Sequence, residues 1–290
     1  MPREAANRAW VCLRDPDRAA RVFAVRIVDL DRDMSDVIPT GLTPDSEYLF
    51  QRMTDVSLDR TGAAPGVRIL DVASGVGQDS IALAARGATV VAAEPSRRMT
   101  QMARMFAEER RSELVAEPDW VQGWSDSLPF AQGSFDAVIC KGALDHFDRP
   151  DAAIAEMARV TSRQGRVVLA IANFESLACR VGRAVDDVRQ QLGWPAMRDR
   201  RGYDVPSDHF TRYELALMRD QAQVHLVLEE IEAISLGWGM PGWSKASARL
   251  PRVVSRLAVQ ALDGVARLVP EWADVIVLVG RPRRSASTSR

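Results

Sequence analysis

Cysteine, lysine, histidine and long apolar runs are all scarce in this chain, and each scarcity excludes something. Cys12, Cys140 and Cys179 are the only cysteines in 290 residues, and they never form a C-x-x-C pair. That argues against a disulfide framework or a zinc site and fits a reducing, cytoplasmic setting. Nothing approaches the roughly 18 uninterrupted apolar residues of a membrane span. The first residues, Met-Pro-Arg-Glu-Ala-Ala-Asn-Arg, put charge where a signal peptide needs an apolar run. An excess of one charge sign is also missing: 38 basic and 39 acidic side chains give a net charge of −1. No global field is there to recruit nucleic acid. All but two of the basic residues are arginines, the exceptions being Lys141 and Lys245. Beside so many alanines this reads as compositional bias.

What is present is ordinary globular material, 47% apolar and 27% charged. Residues 1–66 mix charged helical stretches with Pro16, Pro39, Pro44 and Pro65 and read as an N-terminal helical cap. From Val67 to about residue 280 the pattern alternates. Val67–Asp71, Ala88–Ala93, Trp120–Gln122, Phe135–Cys140 and Gly165–Ile171 read as strands, and helices are expected between them at Ser80–Arg86, Arg97–Arg111 and Ala152–Val160. Ser96 is placed to cap the second of these helices. Such alternation means an α/β fold, a doubly wound and mostly parallel sheet. Later strands are expected at Val224–Ile231, with His225 on its surface face, and at Ala273–Val279. Segments at about 173–223 and 237–271 read as insertions, the second holding an amphipathic helix from Pro251 to Val269. The Arg/Ser-rich tail 281–290 reads as frayed.

The informative turn is Asp71-Val-Ala-Ser-Gly75-Val-Gly77. Glycines there let backbone pass close to a ligand and leave helix N–H groups for it. A dinucleotide fingerprint needs a third glycine where Ser80 stands, and a P-loop needs a lysine that is absent. The next strand ends in an acid, Glu94.

These residues resemble the class I S-adenosylmethionine-dependent methyltransferases, particularly the small-molecule group similar to quinone-biosynthesis enzymes. The resemblance is close over about residues 67–172. It implies a seven-stranded Rossmann-like sheet with an antiparallel last strand. Asp71-x-Ala73-x-Gly75-x-Gly77 would bind the amino-acid end of S-adenosylmethionine, with Ala73 standing where the family often has glycine. Glu94-Pro95 and Met99 look like the second motif: the carboxylate would take the ribose hydroxyls, and Met99 would lie against adenine. Asp126 and Ser127 resemble the third, with Asp126 accepting from the adenine amino group. Phe135–Phe147, with Lys141 in it, corresponds to the strand and loop lining the transfer site. The residue chemistry agrees, since a carboxylate, an acceptor, an apolar slot and backbone donors are what an adenosine with a zwitterionic tail requires.

The acceptor side is less determined. A sulfonium methyl is already electrophilic, so alignment and water exclusion come first, with a base if the acceptor is a hydroxyl or amine. Imidazole suits a base near neutrality, and His146 falls in the loop after the fourth strand, with Asp145 beside it; His209 falls in the first insertion. Trp194, Trp238 and Trp243 lie in the two insertions, which points to lids and a small apolar or aromatic methyl acceptor. No metal is expected, and the oligomeric state is open. Two other readings stand beside this one. The chain could bind the cofactor as a regulatory module without turnover. Alternatively, Arg249, Arg252, Arg256 and Arg267 could put the late helix on a membrane near a lipid or quinone acceptor, although such helices are more often packed on their own domain.

Overall fold

The computed structural model of the protein describes residues 43–195 and 210–283. Cys12, His209 and the tail beyond Arg283 lie outside the described residues. In chain order the elements are α1 (Pro44–Thr61), β1 (Arg68–Val72), α2 (Gln78–Ala85), β2 (Thr89–Ala93), α3 (Arg97–Glu109), β3 (Asp119–Val121), β4 (Phe135–Lys141), α4 (Pro150–Val160) and β5 (Thr161–Ala172). They continue as α5 (Leu177–Gln191), α6 (Leu215–His225), β6 (Leu226–Ile234), α7 (Trp243–Arg249), α8 (Arg252–Ala266) and β7 (Val275–Pro282).

The seven strands form one sheet in the order β3-β2-β1-β4-β5-β7-β6. β1 to β5 are mutually parallel, and β7 pairs antiparallel with both β5 and β6. The expected α/β sheet with its antiparallel last strand is what the chain forms. Strand β6 therefore runs parallel to the first five. Order reverses between β1 and β4, and the carboxyl ends of these strands make the crevice where ligands bind in open α/β sheets.

Consecutive strand residues point to opposite faces, so buried strands feed two cores. Ile69, Ala137, Ile139, Val168 and Val277 join Leu49, Met53, Val56 and Leu58 of α1 on one face. Leu70, Val138, Cys140, Val167 and Ile276 join Ile154 and Met157 of α4 and Met218 of α6 on the other. Residues 44–61 of the expected N-terminal cap thus pack directly on the sheet. Cys140 is a buried apolar group, 1% exposed, and burial pushes its thiol far above the usual range.

Two late elements differ from the sequence reading. His225 is not on a strand: helix α6 runs to His225 and passes into β6 without a loop, and His225 Nε2 lies 3.0 Å from Asp151 Oδ1. Alternating Val224, Leu226 and Leu228 mimic a longer strand, but Met218 and Ala222 bury the helix below. The second difference is α8, whose apolar stripe was expected to pack inward. It packs instead through Ser255, Val259, Asp263 and Ala266. Asp263 explains why: its Oδ1 accepts from Ser235 N at 3.0 Å, and Oδ2 lies 3.5 Å from Arg52 of α1. A buried carboxylate with fixed donors sets the helix rotation more firmly than uniform apolar contact would. Val253, Leu257 and Leu268 consequently face outward, the last 80% exposed.

Candidate active site

The turn after β1 is built from backbone that avoids ordinary conformations. Ala73, Gly75 and Gly77 all have positive φ, at 57°, 54° and 75°. Ala73 and Ser74 N–H groups donate to the Ala93 carbonyl, tying the turn to the end of β2. Gly77 is also sterically required: a Cβ there would collide with the Trp120 ring and come within 2.9 Å of Ala103 Cβ. A Cβ on Gly75 would meet nothing within 4 Å, so that side of the turn is open.

Glu94 closes this arrangement. Its Oε2 accepts from Gly75 N and its Oε1 from Ser96 N, both at 2.9 Å. The carboxylate is thus fixed between the two turns. Ser96 caps α3 as expected, its hydroxyl accepting from Met99 N at 3.1 Å. That leaves Met99, half-buried, in the first turn of the helix beside Pro95.

The other expected residues make contacts of their own within the chain. Asp71 points inward, accepting from the Ser80 hydroxyl at 2.6 Å. Burial pushes its carboxyl up to about 7, the Asp79 carboxylate adding to the rise while Ser80 and Lys141 oppose it. Lys141, at the end of β4, donates to Asp79 Oδ1 at 2.8 Å and Thr54 Oγ1 at 2.7 Å, clamping α1 and α2 to the sheet. Thr54 and Asp79 escaped the sequence reading; an acid in the first turn of the helix after a G-x-G was the available signal. Asp126 is nearly buried and lies 3.6 Å from Arg149, and Ser127 N–H closes its turn onto Trp124 O. His146 sits in the short 3-10 turn Leu144–His146, its imidazole 40% exposed and 3.9 Å from Asp145 Oδ1. Tyr213, also missed, is fully buried, with its hydroxyl donating to Gln221 Oε1 at 2.8 Å. Trp194 is exposed, with the Arg189 guanidinium over its ring at 5.9 Å. Trp238 is held by its indole N–H on Ser46 Oγ at 3.0 Å and by an edge contact with Phe50 of α1.

Comparison with known proteins bears on this geometry. Residues 70–169 match the family described as a methyltransferase domain. The demethylmenaquinone methyltransferase of Renibacterium salmoninarum is 37% identical over 155 residues, 53% of this chain and 59% of its own length. That of Thermobifida fusca is 32% identical over 181 residues, 62% of this chain and 69% of its own length. The chain belongs to the class I S-adenosylmethionine-dependent methyltransferases. The solved structure of the YcgJ protein from Bacillus subtilis shares the fold, with a TM-score of 0.52 at 19% identity over 81% of this chain and all of that one. The chain spans less than two thirds of the Renibacterium relative, so methyltransferase membership here concerns the family and its cofactor.

The residues present fit that cofactor. A methyltransferase cradle needs a fixed carboxylate and approachable backbone, and here a doubly anchored Glu94 borders the open side of Gly75. Among the described residues no group of three or more His, Cys, Asp or Glu side chains could hold a metal ion.

Proposed function

We propose that this protein transfers a methyl group from S-adenosylmethionine to oxygen, nitrogen or carbon of a small apolar or aromatic acceptor. The observation that carries the reading is Glu94, a nearly buried carboxylate at the carboxyl edge of β2, whose two oxygens are each aimed by a backbone N–H. An acceptor so oriented suits a vicinal diol, one hydroxyl for each oxygen. Backbone at Gly75 to Gly77 would receive the amino-acid end, Met99 would line the adenine slot, and Asp126 would accept the adenine amino group. When bound, the cofactor supplies the electrophilic methyl.

What remains for the chain is alignment, dryness and, for a hydroxyl or amine acceptor, a proton acceptor. His146 is the proposed base, half-exposed so that an acceptor can reach it, with Asp145 Oδ1 3.9 Å away. The segment 237–269 is proposed to border the acceptor pocket. In support, it follows the carboxyl end of β6, which points the same way as the carboxyl ends of β1 and β2, and Trp238 N–H donates to the buried Asp274 at 2.8 Å. The demethylmenaquinone methyltransferases among the relatives suggest a quinone-like ring as the first acceptor to try.

The test is incubation with methyl-labelled cofactor and a panel of demethylated quinols, phenols and aromatic amines. Label in the apolar extract supports the reading, and His146→Ala should remove most of it. Tight binding of S-adenosylhomocysteine in calorimetry, with no label leaving the cofactor for any acceptor or for cell extract, would mean a cofactor-binding regulator instead.

A further inference from the structure

The outward face of α8 has no partner among the described residues. Helical periodicity lines up Val254, Leu257, Ala261, Val265 and Leu268 on the side opposite the buried Ser255, Val259 and Ala266. Val253 lies beside this line at 71% exposure, and Trp272 follows it in the turn Pro270–Trp272, also exposed. A monomer seldom leaves so continuous an apolar stripe to water without a use.

Charge indicates what that use is. Residues 237–269 carry five cations, Lys245, Arg249, Arg252, Arg256 and Arg267, against one acid, Asp263. That acid is buried at 1% exposure and already bonded to backbone and to Arg267. Lys245, Arg249, Arg252 and Arg256 are exposed and make no ion pair among the described residues. The surface of this segment is therefore purely cationic in a chain whose total charge is −1. Arg256 lies on the flank between the apolar line and the buried face, Arg252 on the buried-face row at the exposed start of the helix, and Arg267 is paired with Asp263, so Arg252 and Arg256 are the exposed cations whose long side chains can reach sideways while the stripe sinks.

We infer that α8 is a docking surface for an anionic lipid bilayer. The helix would lie in the plane of the interface, with the apolar line among the upper acyl chains and the arginines on lipid phosphates. No described helix is long and apolar enough to cross a membrane, so attachment is peripheral and reversible. Charge complementarity selects this occupant over a second copy of the chain, because two such segments brought together would set the exposed cations Lys245, Arg249, Arg252 and Arg256 near their own kind with no exposed acid between them. The inference does not depend on methyl transfer.

Flotation of the full chain with vesicles tests it. Vesicles of phosphatidylcholine mixed with phosphatidylglycerol should carry up at least tenfold more protein than phosphatidylcholine alone, and raised salt should release it. The double variant Leu257→Asp, Leu268→Asp should lose flotation. Arg252→Ser combined with Arg256→Ser should erase most of the preference for anionic vesicles. Both should keep S-adenosylhomocysteine affinity within about twofold, which shows that they are folded and separates this test from the fate of the functional reading. Failure of the wild type to float with anionic vesicles would overturn the inference, as would flotation unchanged in the aspartate variant. A dimer in light scattering that Leu257→Asp turns into a monomer would overturn it too, assigning the face to self-association.

Discussion

Glu94 is the residue on which most depends, because it anchors two backbone N–H groups and is also the proposed diol acceptor. Glu94→Ala removes the proposed diol acceptor, hydrogen bonds to a charged group of about 1.5–3 kcal/mol. Calorimetry should show S-adenosylhomocysteine affinity lower by tenfold or more. The same change strips acceptors from Gly75 N and Ser96 N, so thermal stability should fall as well, by about 1 kcal/mol. Glu94→Gln keeps one oxygen acceptor and should fall between. Affinity unchanged in Glu94→Ala would move the ribose elsewhere. Ala73 carries a different kind of consequence. Its φ of 57° is strained for any side chain, at about 1–2 kcal/mol, while glycine loses some of that gain through its freer unfolded state. Ala73→Gly should raise stability by about 0.5–1 kcal/mol, visible as a melting temperature higher by roughly 1–3 °C. Two carboxyls set the pH response. Burial raises both Asp71 and Asp274 to about 7, whereas unfolded they titrate near 4. The folded chain therefore holds protons there that the unfolded chain has released. Their contribution to stability is full below about pH 4 and is lost as pH rises towards 7. Melting temperature should drop between pH 5 and pH 8, and Asp274→Asn, which can still accept from Trp238 N, should flatten that slope.

Among the elements, the turn between β1 and α2 separates two glycines that look equivalent in sequence. Gly75→Ala should cost only the positive-φ penalty, about 1–2 kcal/mol, since no atom lies within 4 Å of its Cβ. Gly77→Ala adds a collision with Trp120 and Ala103 and should cost clearly more by denaturant titration. Equal losses would mean that α3 and β3 give way freely. The G-x-G spacing, the acid ending β2 and the Ser96 cap were all legible because they are local: each is a short run whose conformation its own residues dictate. Sequence did not reveal that Asp71 turns inward to Ser80, nor that Lys141 is engaged by Thr54, 87 positions away. Those contacts are set by how α1 lies on the sheet. The rotation of α8 was misread for a related reason. Periodicity identifies an apolar stripe, but Asp263 and its partners, Ser235 just after β6 and Arg52 of α1, choose the side that is buried.

For the whole molecule, topology was readable in outline because five parallel strands impose repeating strand–helix lengths, and the antiparallel β7 followed from the family likeness. The order of the sheet separates two regions. The proposed cofactor ligands gather at β1 and β2, while β6, α7 and α8 lie at the opposite margin, joined to the centre through β7 and α1. The aspartate and serine variants of α8 therefore sit far from the proposed cofactor ligands along the sheet. Lys141 offers a way to watch the join. Only two lysines exist in the chain, so an amine-directed acylating reagent has few competing targets. Lys245 is exposed and should be labelled at once. Lys141 is held by Asp79 of α2 and Thr54 of α1, and should give up its protection only when α1 lifts from the sheet. The ratio of the two labels, read by mass spectrometry, is then a built-in clock for the lifting of α1 from the sheet.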